Sequence, residues 1–354
     1  MERLVMALHY GADAVYLAGT QFGMRASAGN FDEAQLREAV RLAHSLGRRV
    51  YVTCNTLPRE EELAALPAYL ELLQDAGADA LIIADLGVLE LAKRHAPRVS
   101  KHVSTQLGVI NSATANALYA LGADTVVLAR ETPLEDIRRI RRNTPPELRL
   151  EAFVHGAMCV SFSGRCLLSN YLTGRDANRG RCAQPCRWKY HLVEEKRPGE
   201  YFEISEDGGT HIMNSRDMCM IEHIPELIEA GVDSFKIEGR MKSSYYAAVV
   251  TNAYRHAIDA AVSGEGLDRL WVDEVNKVSH RPYTTGFYFG EPGQYYHDAS
   301  YFTEADVAAV VEDCDAEGNA VLFQRNKFYK GDELELLKSD GAPIAFTVEH
   351  MYNA

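Results

Sequence analysis

The sequence lacks the features that would place the protein across a membrane or send it out of the cell. No run of about 18 apolar residues occurs in its 354 residues, so we expect no membrane span. The opening residues, MERLVMALHYGAD, are too short and too mixed to be a secretory signal. We therefore expect a cytoplasmic protein. The chain is 47% hydrophobic, which is enough for a substantial buried core.

The sequence has fewer basic than acidic residues, and it contains neither of two common protease signatures. Lys and Arg number 37 against 50 Asp and Glu, which gives a formal net charge of -13. This charge opposes non-specific binding to nucleic acid, but a local basic patch is still compatible with it. The sequence contains neither His-Glu-x-x-His nor Gly-x-Ser-x-Gly, the signatures of zinc peptidases and of serine hydrolases.

A short phrase recurs along the chain and indicates its fold. Gly-Ala-Asp precedes AVYLAG, ALIIAD and TVVLAR, and Gly-Val-Asp precedes SFKIEGR. Each time a helical pattern ends at glycine, which tolerates the positive φ of a helix C-terminus, and a short apolar run follows. Strands that alternate with helices predict right-handed βαβ units. We predict the α/β class, as a (β/α) TIM-like barrel with an inserted four-cysteine loop; a doubly wound sheet is the alternative.

The last part of the chain has a different pattern. After about Tyr301 the runs AAVVEDC, NAVLFQRN, DELELLK and PIAFTVEHM read as β-strands separated by turns. We predict a barrel domain over residues 1–282, which includes the cysteine loop 156–190, and a small C-terminal β-barrel domain over residues 283–354. From Tyr301 onward eleven acidic residues outnumber four basic ones. We therefore expect RNA, if it binds, to contact the other domain.

Cysteine is scarce but concentrated. Of seven cysteines, four lie in CVSFSGRCLLSNYLTGRDANRGRCAQPC with the spacing C-x6-C-x15-C-x3-C: Cys159, Cys166, Cys182 and Cys186. Structural zinc sites usually have two close pairs of ligands, and only the last pair here is close. The spacing therefore favours a [4Fe-4S] cluster. Zinc, two disulfides or buried thiols are the alternatives, although disulfides are rare in the cytoplasm.

Polar residues stand where several of the predicted strands end. In a (β/α) barrel these ends form the mouth that carries function, although such residues also cap helices or pair with one another. Alternation along KIEGR directs Lys236, Glu238 and Arg240 into the barrel, where they either catalyse or form a buried ion network. The whole set consists of Asn55, Asp85, Thr105, Gln106, Arg130, Glu131, His155, Glu238 and Arg240.

The cysteine loop is locally cationic, unlike the rest of the chain. Asp176 is the one acidic residue among its basic ones, which are Arg165, Arg175, Arg179, Arg181, Arg187 and Lys189. Guanidinium groups bind carboxylates and phosphates, and they would also offset the negative charge of a cluster held by thiolates. A solvated surface run is the alternative.

At this point the sequence resembles a known family. EAFVHGAMCVSFSGRCLLS is similar to the signature of the collagenase-like peptidases of family U32, whose catalytic type is unknown. GADAVYLAG, STQ, LARE, RGRCAQPCRWKY, MNSRDMC and FKIEGRMKSSYY support the likeness. The closing KFYKGDELELL and AFTVEHMYNA resemble the C-terminal domain of the members that form 5-hydroxyuridine in tRNA. The likeness covers nearly the whole chain.

The resemblance implies a hydroxylase that acts on tRNA. Members of this group are barrel proteins that add a hydroxyl group to an RNA base or a quinone precursor without molecular oxygen. They take the oxygen from prephenate and bind a [4Fe-4S] cluster through four cysteines, which match Cys159, Cys166, Cys182 and Cys186. The tRNA member modifies the wobble uridine. Relatives also begin with a further strand of the form LLAPAG, and their C-terminal domain extends further. We therefore expect either that this sequence is a fragment or that its start is misplaced.

These implications give a hypothesis for the site, with tRNA, prephenate and an electron donor as partners. Loop arginines, Arg25 or Arg240 would clamp the two carboxylates of prephenate. His155 would move a proton or orient the substrate; the alternative is a hydrogen-bonded residue at a strand end. The predicted catalytic residues are His155, Lys236, Glu238 and Arg240, and the predicted binding residues are Arg25, Asn55, Gln106, Arg165 and Arg181.

Two other functions remain open, and one further contact is predicted. Cys159 with His155 resembles the pair of a cysteine peptidase. A zinc-stabilised RNA-binding protein without catalysis is the other alternative. If tRNA binds, a uridine ring can stack on an exposed aromatic residue, although core packing is the commoner role of such residues. The aromatic candidates are Trp188, Tyr190, Tyr283 and Phe287.

Overall fold

The computed structural model describes residues 1–24, 29–188, 192–193, 199, 201–202, 215–293, 295 and 301–352. Helices and strands alternate from the first residues onward, as the recurring phrase predicted. In the first part of the chain the elements are α1 (Glu2–His9), β1 (Ala14–Leu17), α2 (Glu33–Ser45), β2 (Arg49–Cys54), α3 (Leu66–Asp75), β3 (Ala80–Ile83), α4 (Leu86–His95), β4 (Ser100–Val103), α5 (Ser112–Ala120), β5 (Thr125–Val127), α6 (Leu134–Arg142) and β6 (Arg149–Ala157).

The second part of the chain begins with the cysteine loop and ends in short strands. Its elements are α7 (Leu168–Thr173), β7 (Leu192–Val193), β8 (Tyr201–Phe202), β9 (Asp217–Cys219), α8 (Ile224–Glu229), β10 (Ser234–Ile237), α9 (Ser244–Ser263), α10 (Arg269–Lys277), β11 (Tyr283–Thr284), β12 (Ala309–Cys314), β13 (Ala320–Gln324), β14 (Glu333–Leu336) and β15 (Ile344–Thr347). Within the described ranges, none of the helices is both long and apolar enough to cross a bilayer.

In the recurring phrase, the glycine and the aspartate each have a structural role. Gly77, which follows α3, has a φ of 85°, a backbone conformation that side chains other than glycine rarely adopt. Two residues later, the Asp79 carboxylate accepts the backbone N–H of Val50 on the neighbouring strand at 2.7 Å. Asp124 does the same for Lys101 of β4 at 2.7 Å. The phrase therefore ends one helix and ties the next strand to its neighbour.

Seven parallel strands form the wall of a TIM-barrel-like fold. They run in the order β1-β2-β3-β4-β5-β6, and β10 pairs with β6 on the other side. The last residues of β6 pair antiparallel with β9, and β11 extends the sheet beyond β9. Because the seven strands are parallel, their C-terminal ends meet at one mouth. The fold class that the sequence predicted is confirmed, and the cysteine loop follows β6 at this mouth.

A cleft runs along the wall between the first and the last of the parallel strands. In the part of the chain that the structure describes, β1 and β10 pair with β2 and β6 but not with each other. A cavity of about 670 Å³ lies between them and reaches the polar barrel interior. Tyr16, His102, Glu151 and Lys236 line it. The predicted barrel is therefore open on this side in the described residues.

The C-terminal strands form hairpins. All four strands predicted after Tyr301 are present, but they pair as two separate antiparallel hairpins, β12–β13 and β14–β15, in the residues described. Most residues of these strands are exposed, and Phe328 and Val348 are the buried apolar residues of this region. The predicted C-terminal β region is therefore present as two hairpins in the described residues, and the small β-barrel domain over residues 283–354 stays a prediction.

Candidate four-cysteine active site

The cysteine loop, of which the structure describes residues 156–188, is held across the barrel mouth by hydrogen bonds. At its start, the backbone N–H of Ser163 donates to the Glu131 carboxylate at 2.6 Å, and the Ser163 hydroxyl donates to the other oxygen at 2.9 Å. Glu131 follows β5 and Ser163 is buried with a φ of 47°. One carboxylate at a strand end therefore holds a strained turn of the loop in place.

A second fastening joins the middle of the loop to the far side of the mouth. Arg179 donates to Glu62 at 2.9 Å, and a second, shorter contact makes the pair bidentate. The same guanidinium donates to the carbonyl oxygen of Leu57 at 3.3 Å. The hydrogen bond from Arg179 lowers the pKa of Glu62 to about 2. Because the folded pKa lies below the unfolded one, this tether is fully present above about pH 4.5 and weakens as the pH falls toward 2.

We expect Glu62→Gln to loosen the loop without unfolding the barrel. The substitution removes the charge and half of the bidentate contact, and a pair this exposed contributes only about 1 kcal/mol to stability. Hydrogen–deuterium exchange at neutral pH should rise several-fold over residues 158–188, while the unfolding temperature changes by a few degrees at most. Glu33→Gln, which breaks the exposed pair with Arg37 on α2, is the matched control. Unchanged exchange in Glu62→Gln would show that the tether does not order the loop.

Polar side chains brace the loop from inside. The Asn178 side chain accepts the N–H of Cys166 at 3.3 Å and donates to the Cys166 carbonyl at 3.1 Å. The fully buried Ser169 hydroxyl donates to the carbonyl of Arg175 at 2.7 Å and accepts the N–H of Ala183 at 2.9 Å. These contacts join the segments that carry the second and third cysteines, so the loop has one defined arrangement.

The thiols of three loop cysteines accept backbone hydrogen bonds in the same way. The donor lies two residues further along the chain in each case. The distances are 3.4 Å from Ser161 to Cys159, 3.4 Å from Leu168 to Cys166 and 3.3 Å from Gln184 to Cys182. N–H groups directed at sulfur stabilise a thiolate and tune the potential of an iron–sulfur cluster. The three cysteines therefore lie in turns of the same kind, as expected for cysteines that bind one metal cluster.

The four thiols form one electrostatic group. Burial raises the pKa of the Cys159 thiol, the N–H of Ser161 and the charge of Arg130 oppose this, and the charges of Cys166 and Cys182 raise it further. Burial likewise raises the pKa of Cys186, where the charges of the other three loop cysteines add to it. None of the seven cysteines forms a disulfide in this structure.

The four thiols offer the type of donor that a [4Fe-4S] cluster uses. Among the described residues, no three His, Cys, Asp or Glu side chains are placed to hold one metal ion. A [4Fe-4S] cluster needs four thiolates, and three of the four grouped thiols here already accept a backbone N–H. Cys159, Cys166, Cys182 and Cys186 can therefore hold it.

Behind the mouth, the barrel interior contains an ion network. Lys236 donates to Glu151 at 2.6 Å, and both side chains are buried. Burial alone would raise the pKa of Glu151, but the charge and hydrogen bond of Lys236 outweigh it and leave the pKa lowered. Tyr16 donates to Glu238 at 2.7 Å, and burial together with the Glu238 carboxylate raises the pKa of Tyr16 well above its usual value. The inward direction predicted for Lys236 and Glu238 agrees with these contacts.

The other predicted binding residues lie at different places around the mouth. Asn55 accepts the backbone N–H of Met24 at 3.0 Å, and Arg240 donates to Asn30 at 3.3 Å. Gln106 lies beside Arg165 and Asn178, and its buried side-chain oxygen has no hydrogen-bond partner in the described residues. Arg165 and Arg181 are exposed. Arg25 lies outside the described residues. The binding roles of these residues stay predictions.

His155 is enclosed by tyrosines. Its side chain is 1% exposed, and burial lowers its pKa to about 3. One ring nitrogen lies 3.3 Å from the Tyr254 hydroxyl and the other lies 3.3 Å from the Tyr283 hydroxyl. Neither ring nitrogen contacts a cysteine among the described residues. A catalytic role for His155 stays a prediction, and these contacts favour the hydrogen-bonded alternative.

Sequence reasoning gave too little weight to two residues. Arg130 was noted at a strand end, but its effect on Cys159 was not foreseen. Its guanidinium stacks 4.0 Å above the ring of Phe153 and donates to the carbonyl of Ala157 at 3.1 Å. Tyr16, the partner of Glu238, was missed; the only signal was its position in a short strand after the first glycine phrase. Both contacts join segments that are distant in the chain.

Comparison with known proteins now places the chain in a family. The sequence profile described as Peptidase family U32 matches residues 1–298. The chain belongs to peptidase family U32. The profile of the Peptidase family U32 C-terminal domain matches residues 303–354, the region of the two hairpins.

Several relatives of the chain are named for hydroxylation of RNA. Over 360 residues the chain is 38% identical to tRNA hydroxylation protein P1 of Bacillus subtilis, with 100% of this chain and 85% of that protein covered. It is 44% identical over 310 residues to a Methanocaldococcus jannaschii protein named as an uncharacterized protease (86% of this chain, 74% of that protein). It is 37% identical over 290 residues to the 23S rRNA 5-hydroxycytidine synthase of Escherichia coli (79% of this chain, 43% of that protein).

Proposed function

We propose that this chain is a tRNA-modifying enzyme that adds a hydroxyl group to C5 of the wobble uridine without molecular oxygen. The oxygen comes from prephenate, and Cys159, Cys166, Cys182 and Cys186 hold a [4Fe-4S] cluster. The four grouped thiols at the barrel mouth are the observation that carries the proposal. The names of the relatives support it, since they describe hydroxylation of tRNA and of 23S rRNA.

The chain's own residues bind and orient the reactants. When bound, the cluster supplies an iron site that exchanges electrons or polarises the oxygen donor. Arg165 and Arg181 present exposed guanidinium groups from the cysteine loop, and such groups bind carboxylates in bidentate fashion. Arg130 stabilises the charged form of Cys159. Lys236 and Glu151 compensate each other's charge inside the barrel, and the catalytic role of Lys236 stays a prediction.

The proposed reaction is balanced without an external oxidant. The carbon–oxygen bond of the donor breaks and a carbon–oxygen bond forms at C5 of the uracil ring. The base loses two electrons and the deoxygenated donor gains two. The hydrogen that leaves C5 goes, as a proton, to the donor or to solvent. Because oxygen is transferred from one organic molecule to another, the reaction runs in the absence of air.

The peptidase alternative has less support from the site. A cysteine peptidase needs a thiol within hydrogen-bond reach of an imidazole. His155 instead contacts two tyrosine hydroxyls, and its lowered pKa makes it a poor partner for a thiolate. The protease name of one relative remains the reason to test for peptide cleavage.

Nucleoside analysis tests the proposal in cells. Total tRNA from a strain without this gene, and without any paralogue, should lack 5-hydroxyuridine and the nucleosides made from it. The same strain with the gene restored should regain them, as measured by mass spectrometry of digested tRNA. Identical nucleoside profiles in the two strains would refute the proposed function. Gelatin cleavage by the purified protein that survives chelation but is lost in Cys159→Ala would favour the cysteine peptidase instead.

A further inference from the structure

The cysteine loop exposes apolar side chains that a solvated loop has no reason to expose. Tyr171 is 85% exposed and Leu167 is 75% exposed. Leu172 beside them is also exposed. Soluble proteins usually bury such residues or expose them singly. A group of them at one place indicates a surface that binds a ligand or a macromolecular partner.

The helix α7 makes this surface rigid. The backbone N–H of Tyr171 donates to the carbonyl of Leu167 at 2.9 Å, so these two residues lie one helical turn apart on the same face. The opposite side of the helix is anchored by the buried Ser169 hydroxyl, which contacts Arg175 and Ala183. A side chain held in this way loses little conformational freedom when a partner binds.

Exposed positive charge lies in the same loop as the apolar face. Arg165, Arg175 and Arg181 are all exposed. Arg175 also donates to the carbonyl of Arg181 at 3.1 Å, which holds the two arginines beside each other. The chain as a whole has a net charge of -13, so this is a local positive patch in an acidic protein. A partner that complements this surface carries negative charge and also presents flat apolar groups.

We propose that Leu167, Tyr171 and Leu172, with Arg165, Arg175 and Arg181, form the surface on which unpaired nucleotides of an RNA loop stack. The inference rests on the proposed function and specifies which form of RNA the site accepts. Bases of a duplex hide their faces in the helical stack, whereas bases of a loop can lie against an aromatic ring. Tyr171 supplies that ring, the two leucines supply apolar contact, and the guanidinium groups bind phosphates. The cysteine loop thus binds RNA beside the thiols.

Direct binding to an RNA hairpin tests the proposal. The probe is a fluorescent anticodon stem-loop with an unmodified wobble uridine, titrated with the purified, anaerobically handled full chain without prephenate. Tyr171→Ala should weaken binding about tenfold, because base–aromatic stacking contributes that order of affinity, whereas Tyr171→Phe should keep it. Leu121→Ala is the matched control, since Leu121 is also exposed but lies in the turn before β5, at the opposite end of the barrel.

Salt dependence and cross-linking give independent readouts. Arg165→Gln should reduce the slope of log affinity against log salt by about 1, and Arg98→Gln, in the turn before β4, should not. A photoreactive 4-thiouridine at the wobble position should cross-link to residues 158–188. A fully paired RNA duplex of equal length should compete poorly.

The outcomes separate this inference from the proposed function, because binding is measured without turnover. If Tyr171→Ala and Leu121→Ala bind the stem-loop equally well, the surface is not an RNA site, even if hydroxylation is established. If the duplex competes as well as the loop, the stacking proposal is wrong. If Tyr171→Ala leaves RNA binding unchanged and a protein cross-links to this surface, the surface binds a protein partner and the proposal is wrong. Tenfold weaker binding with Tyr171→Ala alone supports it even if no hydroxylation is detected.

Discussion

Replacing Cys182 by serine is expected to remove the bound iron and to reduce formation of 5-hydroxyuridine to background. Serine has nearly the size of cysteine and can still accept the N–H of Gln184, which lies 3.3 Å from the sulfur. The loop should therefore keep its fold. A hydroxyl group is a poor ligand for cluster iron, however, and a [4Fe-4S] cluster needs four thiolates. Iron and sulfide should fall from about four each per chain to near zero.

The exposed Cys314 in β12 provides the matched control. Cys314→Ser should keep the full iron content, the visible absorption and the activity, because this thiol lies outside the loop. The unfolding temperature of both variants should stay within a few degrees of the parent protein. One zinc ion per chain and no sulfide in the parent protein, purified without air, would show that the thiols serve a structural zinc site instead.

Asp217→Asn is expected to destabilise the protein by about 3–5 kcal/mol. The Asp217 carboxylate on β9 accepts three hydrogen bonds from Arg281, including one of 2.6 Å from the guanidinium. Both side chains are almost fully buried. An amide in place of the carboxylate removes the negative charge that Asp217 places beside the buried Arg281 guanidinium. For a domain of this size the unfolding temperature should fall by roughly 10 °C.

A double substitution distinguishes charge from packing. Asp217→Leu combined with Arg281→Met removes both charges, so it should be less damaging than the sum of the two single changes. Arg269→Met serves as the control, because its pair with Asp273 on α10 is exposed and contributes at most about 1 kcal/mol. The changes are followed by thermal unfolding with circular dichroism. Additive losses in the double variant would contradict a coupled buried ion pair.

The sequence predicted the parts of the fold that depend on neighbouring residues. Glycine at a helix end and a short apolar run after it are local features, so the strands that follow each phrase were found. The sequence did not predict the cross-strand hydrogen bond made by the aspartate of the phrase. Asp79 accepts its hydrogen bond from Val50, which lies 29 residues earlier on another strand. A contact of this kind depends on strand order, which one sequence does not reveal.

The sequence predicted which residues form the candidate site, but it did not predict the long-range contacts that hold those residues in place. Four cysteines with unusual spacing indicated an inorganic centre, because the residue type itself carries the information. The tether between Arg179 and Glu62 spans 117 residues and had no sequence signal. His155 on β6 is enclosed by Tyr254 of α9 and Tyr283 of β11, which lie 99 and 128 residues further along the chain, and residue spacing does not show such contacts. The C-terminal strands were found, but their closure into a barrel depends on buried area between hairpins.

Isotope transfer tests the central claim most directly. The purified protein with its iron centre intact is incubated without air with unmodified tRNA and prephenate that carries ¹⁸O in its hydroxyl group. The account predicts that the 5-hydroxyuridine formed is heavier by two mass units. The label should be absent when Cys182→Ser replaces the parent protein. Unlabelled 5-hydroxyuridine formed from labelled prephenate, with the oxygen coming instead from water or air, would contradict the account.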